Sequence, residues 1–397
     1  MNHLLSKQID LKSLLCILMW ILMVFFSSSF FYHAFFSTII ICLVMTVAIV
    51  RVVGLRLDIF FLGIFFSIFL AASMISILVF GVQQSFVTEF FKIFFVFIGG
   101  MLIASAYTSE AIAKMLRFFP MVLIVYLLFL TWSHGFSFHQ DHRLGLPDTL
   151  GGPNTVGFFI SVAIIILLAD DNAIAKFWLK LIIIIILLTF LATTFSRSAI
   201  FGLLLGYLYV FFLKKKKRTS GIVLFVCIVF IFWLMMHYFS AHADELYYHE
   251  LAKFNVFSDV KKTGGSGRLT IWVTVLRQWF VHPKAWLTGF GPGLISKFNL
   301  FGVRYKSIDS FPMMSIYSYG IIGFIASLFI YYKLLIVKED DCYVNYKRLL
   351  GAFLFFVLIV NNTASASQAV FLGMLIFAFV LSRNNIGIKR MEKVDER

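Results

Sequence analysis

Charge is what this chain has least of. Only 13% of its 397 residues are Asp, Glu, Lys or Arg, about half of the ~25% that a water-soluble domain carries. Hydrophobic residues make up 61% and include 50 phenylalanines. A conventional soluble globule is excluded. Cysteine is also scarce, with four in the whole chain. Cys16, Cys42 and Cys227 lie inside apolar runs and Cys342 lies in a charged loop. That spacing builds neither a disulfide framework nor a zinc site. Internal repeats are absent. The first apolar run lacks a small-residue cleavage site followed by a polar region, so it reads as a retained span rather than a signal peptide.

What is abundant is long apolar runs. Stretches of ~18 or more such residues recur, each long enough to cross ~30 Å of hydrocarbon as a helix. Inside a bilayer every backbone N–H and C=O must be satisfied within the segment, which leaves helices as the solution for these runs. The expected fold is an all-α polytopic membrane protein, a single integral membrane domain over residues 1–397. About twelve transmembrane helices are expected, at roughly 12–32, 35–50, 58–80, 86–107, 118–133, 154–170, 177–194, 198–213, 220–237, 311–337, 347–361 and 364–382.

The net charge of +15 reads as topology rather than nucleic-acid binding. Short loops rich in Lys and Arg stay in the cytoplasm. One alternating set of loops holds Arg51, Arg56, Lys114, Arg117, the run Lys214–Arg218, Lys338, Lys347 and Arg348. Both termini fall in that set, so both are expected inside. Three segments then share the outer side: the loop at about 134–153, the corner at about 195–198, and a large, partly helical loop at about 238–310. Long loops in compact proteins are often functional.

The outer side carries the candidate site. "SGRLTIWVTVLRQWFVHP" reads as a helix ended by Pro283, with Ser266 or a nearby glycine as its cap. Trp272, Val275, Leu276 and Trp279 form one apolar stripe at helical spacing. Arg268 falls on that stripe and Arg277 on the opposite, polar side. An arginine against an apolar face needs an anion. Two readings supply one: a snorkelling pair with a carboxylate such as Asp259, or a ligand at the helix N-terminus, where backbone N–H groups add positive potential. Arg197, in "TTFSRSA", stands at the outer corner between two spans. It is either an interface anchor or a functional cation. Two arginines on one face suit a phosphate or diphosphate, whose oxygens accept paired guanidinium bonds.

The loop "HRLGLPDTLGGPNTVG" contributes Arg143 and Asn154 as substrate-binding candidates, with Asn154 also placed to cap the helix that follows. His134, His139 and His142 lie too loosely for a metal site, and no metal or cofactor is expected. Asp309 stands where the large loop meets the next span. It can accept a hydroxyl proton or cap that helix, and both readings are open.

Four patterns occur in order: "GGPNTVG", "TFSRSAIFGLLLG", "SGRLTIW…HPKAWLTGFGPG" and "IDSFPMMSIYSYGIIG". Together they resemble the bacterial O-antigen ligase and polymerase superfamily, whose members are polytopic with one large periplasmic loop. The resemblance implies metal-independent glycosyl transfer at the periplasmic face of the inner membrane. Donor and acceptor would be glycans on undecaprenyl diphosphate, within the lipid bilayer, with a chain-length regulator as a further partner and no nucleic acid. Arg197 and Arg268 would hold the diphosphate, Asp309 would serve as base, and Arg143, Asn154, Trp272 and Arg277 would contact substrate. Ligases of the family begin the last segment with His-Asn, eleven residues before a glycine. Here Asp309 and Ser310 hold those places before Gly320. That departure favours a repeat-unit polymerase of O-antigen or capsule over a ligase acting on lipid A–core. A transporter or flippase for lipid-linked oligosaccharide is the rival of another class. It would rely on ionisable residues within spans, for which Glu89, Lys92 and Lys180 are the candidates.

Overall fold

A computed structural model describes residues 56–80, 90, 94–134, 152–170, 172–174, 176–194, 196–213, 268–292, 299–300, 303–304, 308, 310–337, 342–360 and 369–382. The described chain is helical apart from one short antiparallel pairing. Its helices are α1 (Arg56–Phe80), α2 (Gly100–Ala106, entered through a π-helical turn, Phe94–Gly99), α3 (Ser109–Arg117) and α4 (Phe119–His134). Then come α5 (Pro153–Ala169), α6 (Phe177–Thr194), α7 (Arg197–Leu213) and α8 (Arg268–Val281). The strands β1 (Asn299–Leu300) and β2 (Val303–Arg304) follow, then α9 (Phe311–Leu335), α10 (Val344–Val360) and α11 (Val370–Leu381). Three described helical stretches are long and apolar enough to cross a membrane: Ser109–Phe129, Phe177–Thr194 and Phe311–Leu335. The spans expected at about 12–32, 35–50 and 220–237 lie outside the described residues.

The centre is built on α5. From Val156 to Leu167 every one of its side chains is buried. A helix that is apolar all round belongs inside a bundle rather than on its surface. It packs on α4, α6, α7 and α10, and α7 lies along α10. The helix starts follow local chemistry. Thr108 caps α3 by accepting from Ala111 N at 3.3 Å, which satisfies one otherwise orphaned donor. α5 and α9 both begin with a proline in their first turn, where its missing N–H costs nothing.

The end of the bundle carrying Arg117 and Lys347 holds its buried charges in pairs or cages. Arg117 Nε lies 2.9 Å from Asp170 Oδ2, and a second guanidinium nitrogen is 3.4 Å from Oδ1. Lys347 is buried, yet its ammonium donates to Ser109 Oγ at 2.7 Å and to the Ser382 carbonyl, and sits over the Phe379 ring. Those bonds tie α3, α10 and α11 together where hydration has been given up. Lys180 belongs to the same end, its Nζ 3.5 Å from the Asp170 carbonyl. It therefore sits at the end of α6 beside other charges rather than deep in a span. Glu89 and Lys92 lie outside the described residues.

Candidate functional site

The first two sequence patterns meet at one corner. Ser196 precedes α7 and is fully buried. Its carbonyl accepts from Ala199 N and Ile200 N at 3.1 and 3.0 Å, which starts the helix. Its hydroxyl is 3.2 Å from Asn154 Oδ1 and 3.4 Å from Ser198 Oγ. A hydroxyl carries one proton. With that proton given to Asn154, Ser198 becomes the donor to Ser196. Thr194 completes the turn, accepting from Ser196 N at 3.2 Å while donating to Leu191 O at 2.7 Å.

Asn154 therefore does not cap α5. The cap position is Gly152, in extended conformation and without a side-chain bond, with Pro153 as the first helical residue. Asn154 lies one residue inside the helix and turns sideways to α7. Three residues on, Gly157 makes that approach possible. A Cβ there would lie 2.6 Å from Ser196 Cβ and 3.0 Å from Ala199 Cβ. Such crowding would push the helices apart. Arg197 follows as the first residue of α7 and is half-buried. It stands at a helix N-terminus, where the positive end of the helix dipole favours an anion.

The third and fourth patterns meet at a second place. α8 begins at Arg268, as its periodicity predicts. Ile271 and Val275 are buried against the protein, Trp272, Leu276 and Trp279 are half-buried, and Arg277 is exposed on the other side. Trp272 Nε1 is buried and has no hydrogen-bond partner among the described residues. Trp279 braces the chain after the helix. Its Nε1 donates to Ala285 O at 2.9 Å and folds the following turn back on α8.

That turn then crosses α9 at a break. Gly320, inside α9, has φ 61° and ψ −148°, a region open essentially to glycine alone. Facing it, Gly289 has φ 70°. Four backbone bonds bridge the break: Phe290 N to Tyr317 O (2.8 Å), Gly291 N to Ser318 O (3.1 Å), Ile321 N to Trp286 O (2.9 Å) and Ile322 N to Leu287 O (3.4 Å). Neither glycine can carry a side chain. A Cβ on Gly320 would lie 2.6 Å from the Leu287 carbonyl, and one on Gly289 would strike the backbone of Ser318 and Tyr319. From α1, buried Ser76 places its hydroxyl 2.7 Å from Thr288 O, latching the turn from a third side.

Sequence reasoning notes the glycines of "GFGPG" and uses Gly320 only to count back to Asp309. It misses Ser76 and carries Ser196 only as part of the pattern "TFSRSAIFGLLLG", since a serine carries no signal of which distant group its hydroxyl meets. Asp309, Arg143, Asp259 and Ser266 lie outside the described residues, as does the Arg268 side chain. The contacts above thus join the four patterns in two pairs, and each pair places one arginine-bearing helix start.

Residues 182–333 match a family described as O-antigen ligase. The matched stretch runs from α6 through α7 and α8 into α9, and so takes in Arg197, Arg268 and the Gly289–Gly320 crossing. No curated protein matches the chain.

Proposed function

We propose that this membrane protein, which carries an O-antigen ligase family domain over residues 182–333, is a polysaccharide polymerase acting on lipid-linked repeat units at the outer face of the inner membrane. The observation that carries this reading is the Asn154–Ser196 corner. It fixes the start of α7, with Arg197 as its first residue at the positive end of the helix dipole, an arrangement suited to phosphate oxygens. Arg268, first residue of α8, is a second cation at a helix start.

In the reaction, the bond between the anomeric carbon of the donor glycan and the diphosphate oxygen breaks. The diphosphate leaves with the electron pair. An acceptor hydroxyl on a second lipid-linked unit forms the new bond, and its proton passes to a base, the role assigned to Asp309. Arg197 and Arg268 stabilise the charge that grows on the leaving diphosphate, which is electrostatic catalysis by donors already in place. Arg143, Asn154, Trp272 and Arg277 are assigned to substrate contact.

The family description favours a second reading, ligation of a finished glycan to lipid A–core. The pair Asp309–Ser310 in place of His-Asn favours polymerisation. Gene deletion in the host, with surface polysaccharide resolved on a gel, separates the two. Core lipid bearing a single repeat unit identifies a polymerase. Core lipid without any repeat, with polymer accumulating on its carrier, identifies a ligase. Complementation by Arg197→Ala and Arg268→Ala tests the site: a wild-type ladder from both stably made variants defeats the diphosphate assignment.

A further inference from the structure

The segment that follows α8 belongs, on sequence grounds, to a loop in water. Its position along α9 says otherwise. α9 runs from Phe311 to Leu335 and is apolar enough to span a bilayer. Gly320 to Leu335 covers roughly 22 Å at ~1.5 Å per residue, short of the ~30 Å of hydrocarbon. With Lys333 in the last turn at one headgroup layer, Gly320 lies below the opposite one. Tilting α9 lowers it further. Trp286 and Leu287 are hydrogen-bonded to Ile321 and Ile322, so they share that depth.

Two more observations point the same way. First, four backbone groups at the break are paired across it. The carbonyls of Tyr317 and Ser318 and the N–H groups of Ile321 and Ile322 all find partners on the crossing segment. Ser76 meets the carbonyl of Thr288. Irregular backbone at membrane depth is tolerated where it is buried in protein or lines a water-filled cavity, and here protein supplies the partners. Second, the outward side of this segment is apolar and continuous with the lipid-facing side of α9. Leu287 is 59% exposed, Phe280 62%, and Val281 and Trp286 are also exposed, beside Ile321 and Ile325, the latter 60% exposed. His282 and Lys284 are the exposed polar side chains of the stretch, and a lysine stem is long enough to return its ammonium to the headgroups.

We propose that residues 280–291 form a re-entrant segment inserted in the leaflet at the Phe311 end of α9. Phe280, Val281, Trp286 and Leu287 face lipid acyl chains. α8 is thereby anchored at the membrane surface, and a substrate whose phosphates sit at headgroup level reaches Arg268 sideways from the bilayer rather than from open solvent. The insertion itself does not depend on the glycosyl-transfer reading.

The test is nitroxide accessibility on the full chain in liposomes, with the four native cysteines replaced by serine and single Val281→Cys, Leu287→Cys, Ile325→Cys and Arg277→Cys labels. Labels at 281 and 287 should collide with oxygen several-fold more than with a water-soluble nickel chelate, matching 325 and opposite to 277. Nickel collisions at 287 as frequent as at 277 would place the segment in water and overturn the proposal. Low collision with both agents would mean that protein covers it, and would overturn it equally. If the cysteine-free chain does not fold, the unaltered protein is labelled with a diazirine dissolved in the lipid. Adducts on residues 280–287 as dense as those around Ile325 are expected. Adducts at Ile325 with none at 280–287 would refute insertion.

Discussion

Ser196 and Asn154 are forty-two positions apart in sequence and joined by a 3.2 Å hydrogen bond between buried or half-buried side chains. The bond links the first turn of α5 to the residue that starts α7, and through it the orientation of Arg197. Its net worth is modest, since hydrogen bonds between membrane helices average roughly 0.6 kcal/mol in double-mutant cycles. Asn154→Ala and Ser196→Ala should each lower stability slightly, with a coupling of about that size. Thermal unfolding of the purified singles and double measures it. The polysaccharide ladder should suffer more than the melting temperature does, because the bond positions a site more than it holds the bundle.

Gly157 tests the same corner by volume. Its missing side chain leaves room for Ser196 and Ala199. Gly157→Val should cost about 1–3 kcal/mol by overpacking and abolish the ladder. Gly152→Ser, one turn earlier, meets open space and adds a capping oxygen. It should be neutral or gain up to ~1 kcal/mol. A destabilised Gly152→Ser protein would contradict the assignment of Gly152 as the cap.

At the second crossing, Gly320→Ala should be among the most damaging single-methyl changes in the chain. The backbone conformation alone costs about 1–3 kcal/mol for a non-glycine residue, and the added carbon meets the Leu287 carbonyl. Reduced yield of folded protein after detergent extraction, against wild type and Gly152→Ser, is the readout.

Arg197→Lys keeps the charge and loses the planar fork. If Arg197 grips phosphate oxygens with paired bonds, the lysine variant should lose at least about tenfold in polymer formed, close to Arg197→Ala. Retention of most activity by lysine alone would reduce the role of Arg197 to a point charge.

The opposite end offers a stability test free of the site. Arg117 and Asp170 form a two-bonded pair in which the carboxylate is almost wholly buried. Arg117→Met leaves that carboxylate without its counter-ion, bonded to Asn172 N, and should cost roughly 3–5 kcal/mol. The double change Arg117→Met with Asp170→Asn should recover part of it, because no buried charge is then stranded. A double variant worse than the single would refute this account.

The helices are largely legible in the sequence. α6 occupies Phe177–Thr194 and α7 ends at Leu213, where hydropathy places them, and α8 starts at Arg268. The reason is that insertion energy is a sum over single residues, so a run of apolar side chains declares itself wherever it lies. Arg277 on the exposed side and Val275 on the buried side follow from helical periodicity for the same reason.

The relations between helices are not legible there. The apolar pattern runs through Gly320 without a mark, because a glycine amid isoleucines alters hydropathy little. Its positive φ exists only because the turn around Gly289 lies against it. Asn154 reads as a cap because caps are local, but the partner that claims its oxygen is Ser196 on another helix. Composition and periodicity describe what each residue prefers alone. Which carbonyl Ser76 meets, where α9 breaks, and how α5 orients the start of α7 are properties of pairs, and pairs come into being only when the helices pack.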